Sequence, residues 1–175
     1  QIATIDRMCG GRLTINIISS DLPGDKLASA SRYARTVEAM HILKTLLDGD
    51  PIDHQGEFYQ LKVDPPRITT VSGKCPPFYF GGLSPDAREA AAKGCDVFLM
   101  WPDKQEVVAD IITDMTARAT AHGRTLKFGY RAHVIVRETE AEARAYADRL
   151  LSKLDAEEGA AIRAKSLDSG SAGVA

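Results

Sequence analysis

Four short apolar runs, each followed by a stretch of helical periodicity, constrain this chain more than any other feature. They are Arg12–Ile18 (RLTINII), Pro77–Phe80 (PFYF), Asp96–Trp101 (DVFLMW) and Phe128–Val136 (FGYRAHVIV). Runs this short, rich in β-branched and aromatic residues, read as buried strands. The intervening helices are equally legible. One spans about Ala30 to Leu47, with Tyr33, Val37, Met40, Leu43 and Leu47 at helical spacing before a Gly49-Asp50-Pro51 stop. Ser84-Pro85-Asp86 opens a second, and Lys93-Gly94 closes it. Asp103–Glu106 and Thr139–Glu142 have capping-box spacing and open a third and a fourth, the latter reaching about Leu154.

Strands joined by helical crossovers run parallel, are covered on both faces and connect right-handedly. Four such units in series suit half of an α/β (β/α)8 TIM barrel, with a doubly wound open sheet as the alternative. No G-x-G-x-x-G or G-x-x-x-x-G-K-[ST] pattern supports the latter. Two segments fall outside the units. Pro51–Leu61 suggests a small hairpin turning at Gln55-Gly56, and Gln1–Met8 reads as a helix end stopped by Gly10-Gly11. Residues 1–175 are expected to form one domain, an interior portion of a barrel, with 155–175 as a mobile insertion.

The formal net charge of −2 offers no basic field for nucleic acid and no polybasic membrane patch. No apolar run approaches the ~20 residues needed to cross a bilayer, and no secretory signal pattern is present. Cys9, Cys75 and Cys95 are odd in number and widely spaced, which points to free thiols and a reducing, cytoplasmic setting. No His, Cys and carboxylate set has metal-ligand spacing.

In a barrel the working end lies at the C-terminal tips of the strands. Those tips carry Asn16, Ser19, Ser20 and Asp21, then Gly81-Gly82-Leu83-Ser84, then Trp101, and finally Arg131 and His133. Arg131 and His133 sit two apart in an expected strand, so both point to one face. Burying them is costly unless they pair or work, so a structural ion pair and a site are the two readings. Gly81–Ser84 leads into a helix N-terminus, where free N–H groups favour an anion, and the competing reading of Ser84 is a plain helix cap. Trp101 is either core filler or a pocket wall. Asn16 is an amide in an apolar run and needs a partner. Tyr33 is a core residue whose hydroxyl reaches the rim. His41, His54 and His122 read as surface or loop histidines.

Taken together, IDRMCGGRLTINIISSD, SRYARTVEAM, DGDPIDHQGEFYQL, PPFYFGGLSPDAREAAAKGCDVFLMW and FGYRAHVIVRETEAEA closely resemble the bacterial-luciferase-like flavin monooxygenases. The nearest group is the FMNH2-dependent alkanesulfonate monooxygenases, and the resemblance covers residues 1 to about 155. It implies a TIM barrel, assembled as dimers or tetramers, of which this chain is the middle. By position, Asn16 resembles the amide lining the flavin pocket. Tyr33, Ser84 and the Leu83–Ser84 backbone resemble the groups holding the FMN phosphate. Trp101, Arg131 and His133 resemble the catalytic Trp, Arg and His beside the flavin ring and the sulfonate. Reduced flavin reacting with O2 needs cationic and hydrogen-bonding neighbours shielded from water.

The resemblance thus implies a two-component monooxygenase, supplied with FMNH2 by an NAD(P)H:flavin reductase, that converts an organosulfonate to an aldehyde and sulfite. The loop between Asn16 and Tyr33 is shorter than in the alkanesulfonate enzymes and lacks their T-G-S-D form, and it borders the substrate. Alternatives are a relative acting on a sulfone or an aminopolycarboxylate, one using coenzyme F420, or a non-catalytic binding protein on a degenerate barrel.

Overall fold

A parallel sheet forms from the four apolar runs. The computed structural model describes residues 1–19, 27–153, 155 and 157–159, and Ser20, Asp21 and most of the expected insertion at 155–175 lie outside them. The chain divides into two compact units, Gln1–Tyr130 and Arg131–Ala175.

In the first unit the order is α1 (Ile2–Met8), β1 (Ile15–Ile17), α2 (Ser29–Leu47), β2 (Ile52–Gln55), β3 (Gln60–Val63), β4 (Phe78–Phe80), α3 (Pro85–Gly94), β5 (Val97–Met100), α4 (Gln105–Ala121) and β6 (Lys127–Tyr130). The four-stranded sheet runs β1-β4-β5-β6, with every pairing parallel. β2 and β3 form the separate antiparallel hairpin, His54 opposite Leu61 and Gln55 opposite Gln60.

Strand alternation sorts the sheet into two faces. Phe78, Phe80, Phe98 and Met100 are buried against Ala87, Ala91, Ala92, Ile111, Met115 and Ala119 of the helices. The run of alanines on α3 lets that helix lie close to the sheet, and removing one of the buried rings costs about 3–5 kcal/mol. Asn16, Tyr79 and Leu99 alternate to the opposite face, where Asn16 is exposed and the other two are half-buried. β1 and β6 are the sheet's edges, so Arg12–Ile18 yields only a three-residue, half-buried strand.

Two local expectations are corrected. Asp103 does not cap α4: its carboxylate accepts the N–H of the next residue, Lys104, at 2.7 Å, and the helix begins at Gln105 with no side-chain cap. The last apolar run is not a strand to Val136. β6 ends at Tyr130, opposite Met100, the last residue of β5. β5 ends at Met100 and Pro102 has no N–H to donate, so the ladder that pairs β6 stops there.

The second unit holds α5 (Glu140–Leu151), opened by a complete capping box in which Thr139 and Glu142 exchange hydrogen bonds. The guanidinium carbons of Arg137 and Arg149 lie 3.8 and 4.7 Å from the Tyr146 ring centre. Val134 and Val136 are about three-quarters exposed, at 76% and 75%.

Candidate functional site

At the C-terminal end of β4 the chain turns through Gly81-Gly82-Leu83-Ser84 into α3. Ser84 is the cap, its Oγ accepting the Ala87 N–H at 3.2 Å, with Pro85 in the first turn. Gly82 is required sterically, since a Cβ there would stand 2.6 Å from that of Ala87. The same position would lie 3.8 Å from the Tyr33 hydroxyl, so the fold brings Tyr33 to this turn from the first part of α2. The Tyr33 ring stands edge-on to Phe80 at 6.2 Å, which fixes where that hydroxyl sits.

One feature makes this corner suited to an anion. Among the described residues, the N–H groups of Leu83 and Ser84 and the Tyr33 hydroxyl have no acceptor. Free donors at the start of a helix are the usual anion seat. The sequence reading passed over Arg32, whose guanidinium carbon lies 5.3 Å from the Tyr33 ring centre.

β1 ends beside the same helix. Ser19 Oγ donates to the Arg32 carbonyl at 3.5 Å and accepts from the Thr36 hydroxyl at 2.9 Å. Asn16 stands lower on β1, level with Tyr79, and among the described residues its amide makes no hydrogen bond. Trp101 follows β5 directly and is half exposed, at 50%, so it is not core filler. Arg131 and His133 are exposed residues of the second unit, outside any strand. The expectation that a strand aims both at one face is therefore corrected, together with the reading of a buried ion pair. The structure brings Tyr33, Leu83 and Ser84 together and leaves Arg131 and His133 on an irregular segment that begins at the end of β6.

The remaining titratable groups hold the scaffold. Asp96 accepts Lys44 Nζ at 2.7 Å and the Phe78 N–H at 2.9 Å at the N-terminal end of the sheet, with Arg124 at 3.5 Å. Glu38 accepts the N–H groups of Glu57, Phe58 and Tyr59 and bonds His54, clamping the hairpin turn to α2. His54 is thus a paired residue rather than a loop histidine. Burial works to raise the Glu38 carboxyl, but the bonds from His54 and the three N–H groups outweigh it and hold it below the usual range. The three cysteines form no disulfide, and burial pushes the Cys75 and Cys95 thiols up to about 12. Among the described residues no group of His, Cys and carboxylates is placed to hold a metal, and no helix is long and apolar enough to cross a membrane.

The luciferase-like monooxygenase family model matches residues 1–173. The chain belongs to that family. It is 64% identical over 181 residues to a sulfoquinovose monooxygenase of Novosphingobium aromaticivorans, covering 99% of this chain and 50% of that protein. It is 51% identical over 176 residues to a sulfoquinovose monooxygenase of Agrobacterium fabrum, covering 99% and 46%. The chain spans about half the length of the curated relatives it matches. Among solved structures it is similar to the EDTA monooxygenase of Chelativorans sp. BNC1, with a TM-score of 0.78 at 18% identity, over 90% of this chain and 44% of that one. That likeness bears out the α/β, TIM-barrel class expected for this family.

Proposed function

We propose that the protein acts as a flavin-dependent monooxygenase on a sulfosugar of the sulfoquinovose type, cleaving its carbon–sulfur bond. The observation that supports this most is the identity with two sulfoquinovose monooxygenases along nearly the whole chain. In the balanced reaction, the sulfonate-bearing CH2, O2 and FMNH2 give an aldehyde, sulfite, FMN and water. One oxygen atom enters the aldehyde and the other leaves as water, both electrons coming from the flavin. A separate NAD(P)H:flavin reductase supplies those electrons. A sulfosugar is an organosulfonate but not a simple alkanesulfonate.

The residues fit a phosphate-bearing flavin. Tyr33, the Leu83 and Ser84 N–H groups and the charge of Arg32 would hold the phosphate, and the Asn16 amide would meet the polar edge of the ring. When bound, the flavin supplies reducing power and activates O2. Trp101 would wall the ring from water. Arg131 would hold the sulfonate through two parallel donors, and His133 would donate or take a proton at the carbon–sulfur end.

The test is sulfite release by the full-length enzyme with reductase, NADH and FMN, sulfoquinovose being compared with linear alkanesulfonates. Release from the sulfosugar with little from the alkanes is expected. Oxygenation without sulfite from any sulfonate would overturn the reaction, and loss of FMN binding by the full-length wild type would overturn the cofactor.

A further inference from the structure

The Leu83–Ser84 peptide is held from behind. Arg88, one turn into α3, donates its Nε to the Leu83 carbonyl at 3.0 Å. Its terminal nitrogen donates to Asp114 Oδ2 of α4 at 2.8 Å. Asp114 is also bonded by Arg118, one turn further along α4, at 2.9 and 3.0 Å. The hydrogen bond to Arg88, against a smaller opposing effect of burial and with help from Arg118, holds the Asp114 carboxyl below the usual range. The guanidinium is thus anchored at one end and grips a backbone carbonyl with the other.

We infer that Arg88 is a positioning residue for the anion seat, orienting the Leu83–Ser84 peptide through its carbonyl so that the Ser84 N–H is aimed at the ligand's phosphate. The inference rests on the flavin reading above and extends it to a residue that never touches the ligand. A trans peptide is planar, with its C=O and N–H pointing in opposite directions. Fixing the Leu83 oxygen toward Arg88 therefore fixes the Ser84 N–H to point away from it. The sequence supports the division of labour. A helix N-terminus that served only itself would gain from an acid at this position rather than an arginine, because the macrodipole disfavours a cation in the first turns. Arg88 escapes that penalty by pairing with Asp114.

Two other candidates carry less. The groove at the hairpin base is lined by Ile52, Asp53, Lys62 and Val63, of which the polar ones are exposed. The Glu89–His122 pair is partly exposed and neutralised by Lys93 and Arg118.

The experiment compares FMN with riboflavin, which lacks the phosphate, by fluorescence quenching on the full-length protein. Wild type is expected to prefer FMN. Arg88→Ala is expected to weaken FMN about tenfold, the scale of one charge-assisted hydrogen bond, with riboflavin unchanged. Arg88→Lys keeps the charge but cannot reach Leu83 and Asp114 together, so it should behave like the alanine variant. Asp114→Asn separates the mechanisms by sign: positioning predicts weaker FMN binding, whereas a simple attraction by Arg88 predicts tighter binding once its counter-charge is gone. Equal losses for both flavins, full FMN affinity in Arg88→Lys, or tighter FMN binding in Asp114→Asn would each overturn the inference. A wild type that binds neither flavin would overturn the proposed function itself, and this inference with it.

Discussion

The two ends of the parallel sheet meet the same chemical demand, polar groups beside apolar strands, in opposite ways. At the N-terminal end Asp96 is occupied by Lys44, the Phe78 N–H and Arg124, and Asp48 takes the Cys75 N–H at 2.8 Å. Asp6, 3% exposed, takes the Val71 N–H at 2.8 Å. At the C-terminal end the Tyr33 hydroxyl, the Asn16 amide and the N–H groups of Leu83 and Ser84 have no acceptor or donor within the described residues. Polar groups matched inside the protein stabilise it, and groups left over at the opposite end are available to a ligand. On the proposed function, stability and ligand binding are divided along the strand direction, and substitutions at the two ends should separate cleanly.

The largest contrast is expected between Asp96→Ala and Arg131→Ala in the full-length enzyme. Losing Asp96 strips acceptors from a backbone N–H, a lysine and an arginine, and should cost about 2–4 kcal/mol in urea denaturation. Arg131→Ala should change stability by under about 1 kcal/mol, the range for exposed positions, while lowering kcat/KM for the sulfonate by about a hundredfold, the scale of a lost charged contact. If Arg131→Ala instead unfolds the protein, its guanidinium belongs to the scaffold and the division fails at that point.

Ser84 sharpens the comparison, because it sits at the functional end and yet serves the scaffold. Ser84→Ala should cost about 1 kcal/mol as a lost cap. Ser84→Asp should restore that stability, since Asp caps as well as Ser, and should repel a phosphate, weakening FMN about tenfold or more. Unchanged FMN affinity in the aspartate variant would make Ser84 a cap and nothing else.

Acid should loosen the scaffold through Glu38. Its folded carboxyl lies below its unfolded value, so its clamp contributes fully above the ordinary glutamate range and is lost as pH falls through the lowered value. Amide exchange at Glu57, Phe58 and Tyr59 should rise beyond the intrinsic rate as pH falls below the ordinary glutamate range, and Glu38→Gln should remove that pH dependence. The smallest effect is expected at Cys95. With its thiol pushed up to about 12 and its side chain fully buried, it should resist an aqueous thiol reagent at neutral pH until the protein is denatured.

The sequence alone was enough for the parallel α/β arrangement, the hairpin near Gln55 and the Ser84 and Thr139 caps. These depend on short-range pattern: strand alternation, cap chemistry and turn residues act within a few positions. Tertiary structure decided the rest. Whether Arg131 and His133 lie in a strand depends on a ladder partner for 131–136, and β5 gives out at Met100, thirty residues earlier. Whether His54 is loose depends on Glu38, and the aim of the Ser84 N–H depends on Asp114 of another helix, through Arg88. A backbone hydrogen bond or an ion pair needs two groups in one place, and no local pattern names the second.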